Sequence, residues 1–350
     1  MFVTDSNKRR NKILESIIEA YVSTASPVGS ELIAKKLRPS LSSATIRNIM
    51  VELEEAGYLE QPHTSAGRVP TNRGYRYYVD SLMEVQWLSV DQIRHLEQLV
   101  QPEEFEVEQL LDRASAALAE LTQQAAFVVA PTVKQSTVRQ IELVPLSVRK
   151  ILCVLVANHE EMFASHVIEV VEPMSRDEAT ALVRFINTQL VGLPFNDVIN
   201  SLERRLLAES DSFYHLVKRS LDILQHALSV EPNERFFIEG TSYVVAQPEF
   251  RRDPKKAHQL LKGLEAQHGL AERVHQDLDR ERFRVRIGEE INLPGCEGCS
   301  YVIAPFLLDG RVAGGVGVLG PMRMDYPKMS ALVEGMARSL TEILSEGHSE

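Results

Sequence analysis

Four polar side chains at the start of one predicted helix have types and a spacing that suit hydrogen bonding to nucleic acid. Ser43, Thr45, Arg47 and Asn48 fall within six consecutive positions. Arginine can donate two hydrogen bonds to a guanine edge, asparagine can pair with an adenine edge, and hydroxyl groups can contact bases or phosphates. The spacing predicts a surface that reads double-stranded DNA, in which Arg47 contacts guanine and Asn48 contacts adenine or phosphate.

A second group of predicted DNA contacts lies in a short hairpin that follows this helix. His63, Thr64 and Arg68 belong to or flank the loop 61–67, between short strands expected at 58–60 and 68–69. Residues 61–79 carry three arginines and no acidic residue. Because a protruding hairpin of one charge sign suits contact with phosphates, we expect it to act as a wing that reaches the DNA backbone or minor groove.

Further cations are predicted to contact phosphates without reading sequence. These residues are Lys8, Arg9, Arg10, Arg73 and Arg76. Four cations between Lys8 and Lys12 crowd the expected start of a first helix at residues 8–24, where they oppose the helix dipole. Phosphates beside that helix end would explain the arrangement. A charged, solvated helix start is the alternative.

The elements around the four polar residues predict how they are presented. Ser42 or Ser43 is the expected N-cap, and Gly57 is the expected left-handed residue that ends the helix. The predicted apolar face comprises Ile46, Ile49, Met50 and Leu53. A shorter helix at residues 27–37 precedes it, joined by the turn 38–41. Two helices with a tight turn, followed by a hairpin, predict a winged helix-turn-helix.

The pair Cys296 and Cys299 is a rival chemical signal. A structural zinc site needs four ligands, and this C-x-x-C has no second pair to complete it. Cys153 with His159 or His166 could do so only if the fold brought them together. We therefore expect no metal and no cofactor, and we favour loop cysteines beside a buried strand over a redox role.

Signals for enzymatic chemistry are weak. Gly315, Gly317 and Gly320 match a dinucleotide fingerprint, but Pro321 follows and the next helix begins only near residue 327, so a glycine-bearing hairpin strand is favoured. No phosphate-loop, zinc-protease or hydrolase motif occurs. The acidic residues of a charged helix at 271–281 are expected on a solvated face. The sequence favours a protein that is not an enzyme.

The segment 320–326 joins the last strand to the last helix. Asp325 is placed to cap that helix, and Arg323 could pair across the end of the sheet. We favour a rigid structural corner, with a contact to the DNA-binding part as the alternative.

The rest of the chain predicts an α+β, multidomain fold. Expected strands are 136–146, 150–158, 163–171, 236–246, 283–287, 301–308 and 311–319, and expected helices are 176–191, 197–208, 212–229, 254–267 and 327–345. Because strands precede a helical tract and resume after it, the pattern indicates a sheet domain that carries an insertion.

Charge is distributed unevenly along the 350 residues. The net charge is −11, yet residues 1–85 hold 11 basic and 10 acidic side chains. Since electrostatic fields are screened within about 10 Å at 0.1 M salt, a distant acidic domain does not forbid DNA binding.

No run of 18 apolar residues and no apolar leader occurs, and only three cysteines are present. These features predict a cytoplasmic protein without membrane contact.

Three blocks of sequence resemble the HrcA family of bacterial heat-inducible transcription repressors. They are PVGSELIAKKL from Pro27, LSSATIRNIMVELEEAGYLEQPHTSAGRVPTNRGYRYYVD from Leu41, and GPMRMDYPKM from Gly320. The first two blocks cover nearly all of residues 27–80.

The resemblance implies a GAF-like antiparallel-sheet domain interrupted by a dimerisation domain. On that basis residues 1–86 are expected to form the winged helix domain, with 87–104 as a helical connector. Residues 105–171 and 251–350 would form the GAF-like domain, and 172–250 the inserted, dimerising domain.

The resemblance also implies a mechanism. Members of this family bind the inverted repeat called CIRCE upstream of chaperone operons as dimers, and a GroEL-type chaperonin maintains their activity. One alternative is a regulator gated by a small molecule in the GAF-like domain. Another is an enzyme or an RNA-binding regulator that uses the same basic helix.

Overall fold

The computed structural model describes most of the chain. The described ranges are 2–37, 41–64, 66–84, 86–100, 107–130, 136–157, 163–208, 211–230, 235–265, 267–278, 283–308 and 311–346. The chain divides into two compact units, one formed by residues 1–129 with 236–350 and the other by residues 130–235. The architecture is mixed helix and antiparallel sheet.

The amino-terminal part of the larger unit is a small helical assembly with a hairpin. Its elements are α1 (Phe2–Thr24), α2 (Ser30–Lys36), α3 (Ser43–Glu55), β1 (Leu59–Glu60), β2 (Val69–Pro70) and α4 (Asn72–Tyr77), which continues as a π-turn at Tyr78–Leu82. The fully buried side chains of Ile13, Ile17, Ile33 and Ile46 form its core. The hairpin pairs Leu59 with Pro70, as β1 and β2 run antiparallel.

A five-stranded sheet forms the rest of the larger unit. Its strands are β3 (Ala125–Ala130), β7 (Arg235–Glu239), β8 (Arg284–Ile287), β9 (Cys299–Leu308) and β10 (Arg311–Pro321), in the order β7-β3-β10-β9-β8. Its helices are α5 (Val90–Leu99), α6 (Val107–Thr122), α10 (Thr241–Val245), α11 (Pro248–Arg251), α12 (Pro254–Glu265), α13 (Gln267–Asp277) and α14 (Tyr326–Glu346). A 3-10 turn spans Gly288–Ile291.

Helices cover both faces of this sheet. Phe127 packs in one cluster with Leu260 of α12 and Val274 of α13, while α6 and α14 contact β10 and β9 on the sheet. Burial on both faces explains why all six residues of β3 are buried and apolar, without the alternation of a half-exposed strand. None of the described helices is long and apolar enough to cross a membrane.

The glycine-rich segment after Arg311 is a strand, as predicted, and not a nucleotide-binding turn. It pairs with β3 on one side and β9 on the other. A Cβ atom on Gly317 would lie 2.6 Å from the Phe127 ring. The glycines therefore leave room for the large aromatic residue of the neighbouring strand.

The strand predicted at 236–246 is wrong in its second half. Gly240 has a φ of +72°, which ends β7 and begins the short helix α10. A left-handed residue of this kind is tolerated by glycine and breaks an extended run.

The smaller unit is a three-stranded antiparallel sheet backed by three helices. The strands are β4 (Val138–Pro145), β5 (Lys150–Ala157) and β6 (Phe163–Glu169), in chain order, and the helices are α7 (Arg176–Leu190), α8 (Phe195–Ala208) and α9 (Asp211–Val230). Alternate residues of β5, including Ile151, Cys153 and Leu155, point into its core.

This unit differs from the insertion predicted from sequence. We expected the strands at 136–171 to belong to the larger sheet and the insertion to span 172–250. The compact unit spans 130–235 instead, because β4–β6 pair only with one another and pack on α7–α9.

Candidate nucleic-acid interface

The start of α3 is fixed by hydroxyl groups. Ser42 is the N-cap, and its side chain accepts a hydrogen bond of 3.1 Å from the backbone N–H of Thr45. Ser30 of α2 and Ser43 of α3 are joined by a hydroxyl contact of 3.0 Å, which ties the two helices together. At the other end Gly57 has a φ of +77°, so both predicted helix boundaries are confirmed.

The polar face of α3 lies in solvent. Ile46, Met50 and Leu53 are buried and hold the helix against its own core. Thr45, Arg47 and Asn48 are exposed, whereas Ser43 is partly buried. No residue in the first turn is acidic. The exposed amino-terminal half of α3 therefore presents hydrogen-bond donors and one cation without a competing carboxylate.

The hairpin loop presents two of its predicted contacts. His63 and Thr64 are exposed. The side chain of Gln61 donates to the backbone carbonyls of Thr64 and Ala66, each at 3.0 Å, and so shapes the loop from within. Position 65 lies outside the described residues.

Arg68, which was predicted to lie on the DNA-facing side of the hairpin, is held by contacts within the protein. Its Nη2 atom lies 2.7 Å from the Glu54 carboxylate of α3, and its side chain is only 16% exposed. Its backbone also pairs with Val28, which precedes α2. Arg68 thus anchors the hairpin to the helix pair, because an opposite charge at the end of α3 lies within reach.

The cations of α1 are placed differently from the prediction. The helix begins at Phe2, so Lys8, Arg9 and Arg10 lie in its interior and do not oppose its dipole at the first turn. Lys8 and Arg9 are exposed and Arg10 is partly buried. The dipole argument is wrong, although the charges remain on the surface of the same helix.

Arg73 and Arg76 have separate environments. Arg73 is exposed, and its guanidinium lies 5.1 Å from the centre of the Tyr58 ring. Arg76 instead binds Glu290 of the 3-10 turn through two nitrogens, with an Nε–Oε1 distance of 2.8 Å. It also donates to the Val285 carbonyl at 2.8 Å. Arg76 therefore joins the amino-terminal part to the sheet, and its guanidinium is engaged within the protein instead of being directed into solvent.

A second link uses Arg323 of the segment before α14. Its Nη1 donates to the Val22 carbonyl near the end of α1 at 2.6 Å, and its Nε binds Glu249 at 2.6 Å. Asp325 caps α14 through the Lys328 N–H, as predicted. Arg323 thus makes the contact to the amino-terminal part that was predicted as the alternative to a rigid corner. The rings of Tyr75 in α4 and Tyr326 in α14 also pack together, with their centres 5.9 Å apart.

Asp277 is buried, and the solvated face predicted for the acidic residues of this helix is wrong at this position. Its side chain is 1% exposed and accepts hydrogen bonds from Arg284 at 2.7 Å and from Arg286 Nε at 2.8 Å. Tyr301 donates to the same carboxylate. Two arginines at alternate positions of one strand, shortly after an acidic helix end, are the sequence signal that could have indicated this cluster.

The structure offers no evident metal site in the part of the chain that it describes. No group of three or more His, Cys, Asp or Glu side chains is arranged to hold an ion there. Cys296 and Cys299 are free thiols beside β9, and Cys153 belongs to the smaller unit.

Comparison with known proteins gives a consistent result. A family model described as the HrcA protein C-terminal domain matches residues 108–329. A heat-inducible transcription repressor HrcA from Natranaerobius thermophilus is 37% identical and covers 97% of both chains. The one from Pelotomaculum thermopropionicum is 35% identical and covers 96% of both chains.

A solved structure has the same fold. It is a crystal structure of a protein described as hypothetical, with a TM-score of 0.60 at 23% identity, covering 97% of this chain and 98% of that one.

The helix pair, the exposed polar face of α3 and these relatives define a transcription repressor. The chain belongs to the HrcA family of heat-inducible transcription repressors. The matched members of this family are heat-inducible repressors of transcription.

Proposed function

We propose that this chain acts in the cytoplasm as a dimeric repressor that binds an inverted-repeat operator of the CIRCE type upstream of chaperone operons. Residues 1–86 form a winged helix-turn-helix, residues 87–104 form the connector, and the sheet of the larger unit is a GAF-like domain interrupted by residues 130–235. The observation that most directly supports this proposal is the exposed face of α3. Arg47 and Asn48 are exposed there, and the first turn of the helix contains no acidic residue.

We assign recognition of the operator's base sequence to a small number of residues. Arg47 and Asn48 contact base edges, and Thr45 and Ser43 contact bases or phosphates. His63 and Thr64 of the hairpin reach the backbone or minor groove. Lys8, Arg9, Arg10 and Arg73 contact phosphates and supply affinity without sequence information.

Dimerisation is assigned to the outer face of the sheet in the smaller unit. Leu152 lies at the centre of this face, opposite Val144 of β4 and Val167 of β6. Val144 is 46% exposed and Val167 is 59% exposed. An apolar row that crosses all three strands is typical of a surface covered by a partner, and a second copy would cover it symmetrically.

A GroEL-type chaperonin is the proposed activator. The family resemblance supplies this partner, and the exposed apolar row on the smaller unit supports it, because chaperonins bind apolar surface that a protein has not yet covered. In this mechanism unfolded proteins that occupy the chaperonin leave the repressor inactive and relieve repression.

Binding to defined duplexes tests the proposal. We expect the purified protein to bind an inverted repeat from upstream of a chaperone operon about 10³-fold or more tightly than a scrambled duplex. Scrambling one half-site should cost about 100-fold. Fluorescence anisotropy at fixed salt measures both ratios, since affinities without a stated salt concentration cannot be compared.

Further arms of the assay address the chaperonin and the alternatives. Chaperonin should raise the fraction of protein competent to bind DNA, and an unfolded competitor should reverse that effect. Equal affinity for operator and scrambled duplex, or a preference for structured RNA, would refute the proposal.

Leu152→Asp should separate the dimer into monomers. Burying an unpaired carboxylate in the apolar row costs about 3 kcal/mol, which corresponds to roughly 100-fold in the dissociation constant. Analytical ultracentrifugation over a concentration series measures this shift. Arg176→Glu, at the exposed start of α7, is the matched control and should leave the dimer intact. A Leu152→Asp protein that remains dimeric while folded by circular dichroism would place the interface elsewhere.

A further inference from the structure

Cys296 and Cys299 lie at the two ends of one tight turn that leads into β9, of which Cys299 is the first residue. The backbone N–H of Cys299 donates to the carbonyl of Cys296 at 2.9 Å. The first and fourth Cα atoms of such a turn lie within about 7 Å, a range that overlaps the separation found across disulfides. Both thiols are free and buried. The turn therefore holds two sulfur atoms where a short movement could join them.

The two thiols differ in reactivity. A hydrogen bond from Cys299 lowers the pKa of Cys296, despite the opposing effect of burial. The same hydrogen bond, together with burial, raises the pKa of Cys299 well above its ordinary value. Since the thiolate is the nucleophile, Cys296 is the sulfur that reacts first. The adjoining Glu297 and Gly298 are exposed, so the turn lies at the surface although the Cys296 side chain is buried.

Backbone contacts lead from this turn to the DNA-binding part. Gly298, between the two cysteines, accepts a hydrogen bond of 3.1 Å from the N–H of Met322. The next residue is Arg323, which donates to the Val22 carbonyl of α1. Cys299 also pairs with Pro321 in the β9–β10 register. A change in the turn is therefore transmitted through one residue to the contact that holds α1.

We propose that Cys296 and Cys299 form a reversible disulfide in response to peroxide, and that this bridge loosens the hold of Arg323 on α1. An S–S bond of about 2.05 Å draws the sulfurs together and tightens the turn around Gly298. The hydrogen bond from the Met322 N–H to the Gly298 carbonyl is then distorted. The effect on operator binding rests on the proposed function, because two recognition helices must keep a fixed relative position to enter successive grooves.

The chemistry needs only peroxide as the oxidant. The Cys296 thiolate attacks one peroxide oxygen, the O–O bond breaks, and hydroxide leaves as Cys296 becomes a sulfenic acid. The sulfur of Cys299 then attacks the Cys296 sulfur. The S–S bond forms, the S–O bond breaks, and the hydroxyl leaves as water with the Cys299 proton. Two electrons pass from the thiols to the peroxide, and a dithiol reverses the reaction.

Mass spectrometry of the full-length protein tests bridge formation. After exposure to hydrogen peroxide, quenching and alkylation, we expect a Cys296–Cys299 peptide that has lost two hydrogens, is not alkylated, and is restored by dithiothreitol. Cys153 should remain a thiol, because the bridge needs a paired neighbour. Cys296→Ser should give no bridge, and Cys153→Ala should give the same bridge as the wild type. Sulfinic or sulfonic acid at Cys296 without a bridge would overturn the proposal.

Hydrogen exchange tests the coupling without DNA. Amides at residues 20–24 and 320–326 should exchange faster in the oxidised protein, and Arg323→Gln should reproduce that rate in the reduced protein. Unchanged exchange on oxidation would overturn the coupling, even where the bridge forms. In an operator assay, oxidation should weaken binding about tenfold, and Cys299→Ala should abolish this loss. Failure of the reduced protein to bind operator refutes the proposed function alone, whereas normal binding without a bridge after peroxide refutes this inference alone.

Discussion

Replacing Arg47 by alanine should remove most of the preference for operator over scrambled DNA while leaving thermal unfolding unchanged. A bidentate contact between arginine and guanine discriminates by about 1–3 kcal/mol at each half-site, and a dimer uses two half-sites. The guanidinium is exposed and forms no hydrogen bond or ion pair to another residue in the described ranges, so its removal leaves no unpaired partner in the fold. Anisotropy titrations with both duplexes give the ratio of affinities.

Two control variants separate base reading from general attraction. Glu52→Ala changes an exposed charge on the same helix, but at its other end, and should preserve the preference for operator. Lys8→Ala should weaken binding to both duplexes alike and reduce the slope of log affinity against log salt by about 0.9. A wild-type ratio of affinities in Arg47→Ala would show that α3 does not read the bases.

Asp277→Asn should strongly destabilise the larger unit. The carboxylate is buried between Arg284 and Arg286, and its removal leaves two guanidinium groups without their shared partner. Breaking a buried ion pair costs about 3–5 kcal/mol. We expect about 3 kcal/mol, because both arginines remain 25% exposed and water partly replaces the lost contact. Urea unfolding at pH 7 measures the difference, with Asp112→Asn on the exposed side of α6 as the control.

The same cluster sets a pH dependence. Burial alone would raise the pKa of Asp277, but hydrogen bonds from Arg286, Tyr301 and Arg284 outweigh it and lower the pKa to about 2. The pKa of an aspartate in an unfolded chain is about 3.9. The stabilisation is therefore complete above about pH 4 and disappears as the pH falls towards 2. The gap between wild type and Asp277→Asn should narrow over this range, and a gap that widens instead would contradict the assigned ionisation.

Sequence reasoning succeeded where structure is local. The start and end of α3 depend on Ser42, Gly57 and a helical repeat of apolar residues, all within sixteen positions. Such signals need no knowledge of distant parts of the chain. The glycine-bearing strand was likewise recognisable, since Pro321 excludes the helix that a nucleotide-binding turn requires.

The environment of a side chain could not be predicted where its partner lies far away in the sequence. Nothing near Arg76 indicates that Glu290, over two hundred positions later, neutralises it. The strands β4–β6 show the same apolar alternation whichever sheet they join, so their assignment to a separate unit could not be read from periodicity. The wing and GAF-like assignments, the dimer and the DNA contacts remain predictions.

The links made by Arg76 and Arg323 have a consequence for synthesis on the ribosome. Translation proceeds from the amino terminus, so α1–α4 emerge early, whereas Glu290 and Arg323 follow more than two hundred residues later. Until then neither of these two contacts of α1–α4 can form. A product that is terminated before Glu290 therefore has α1–α4 held to the rest of the larger unit by neither of these two arginine contacts.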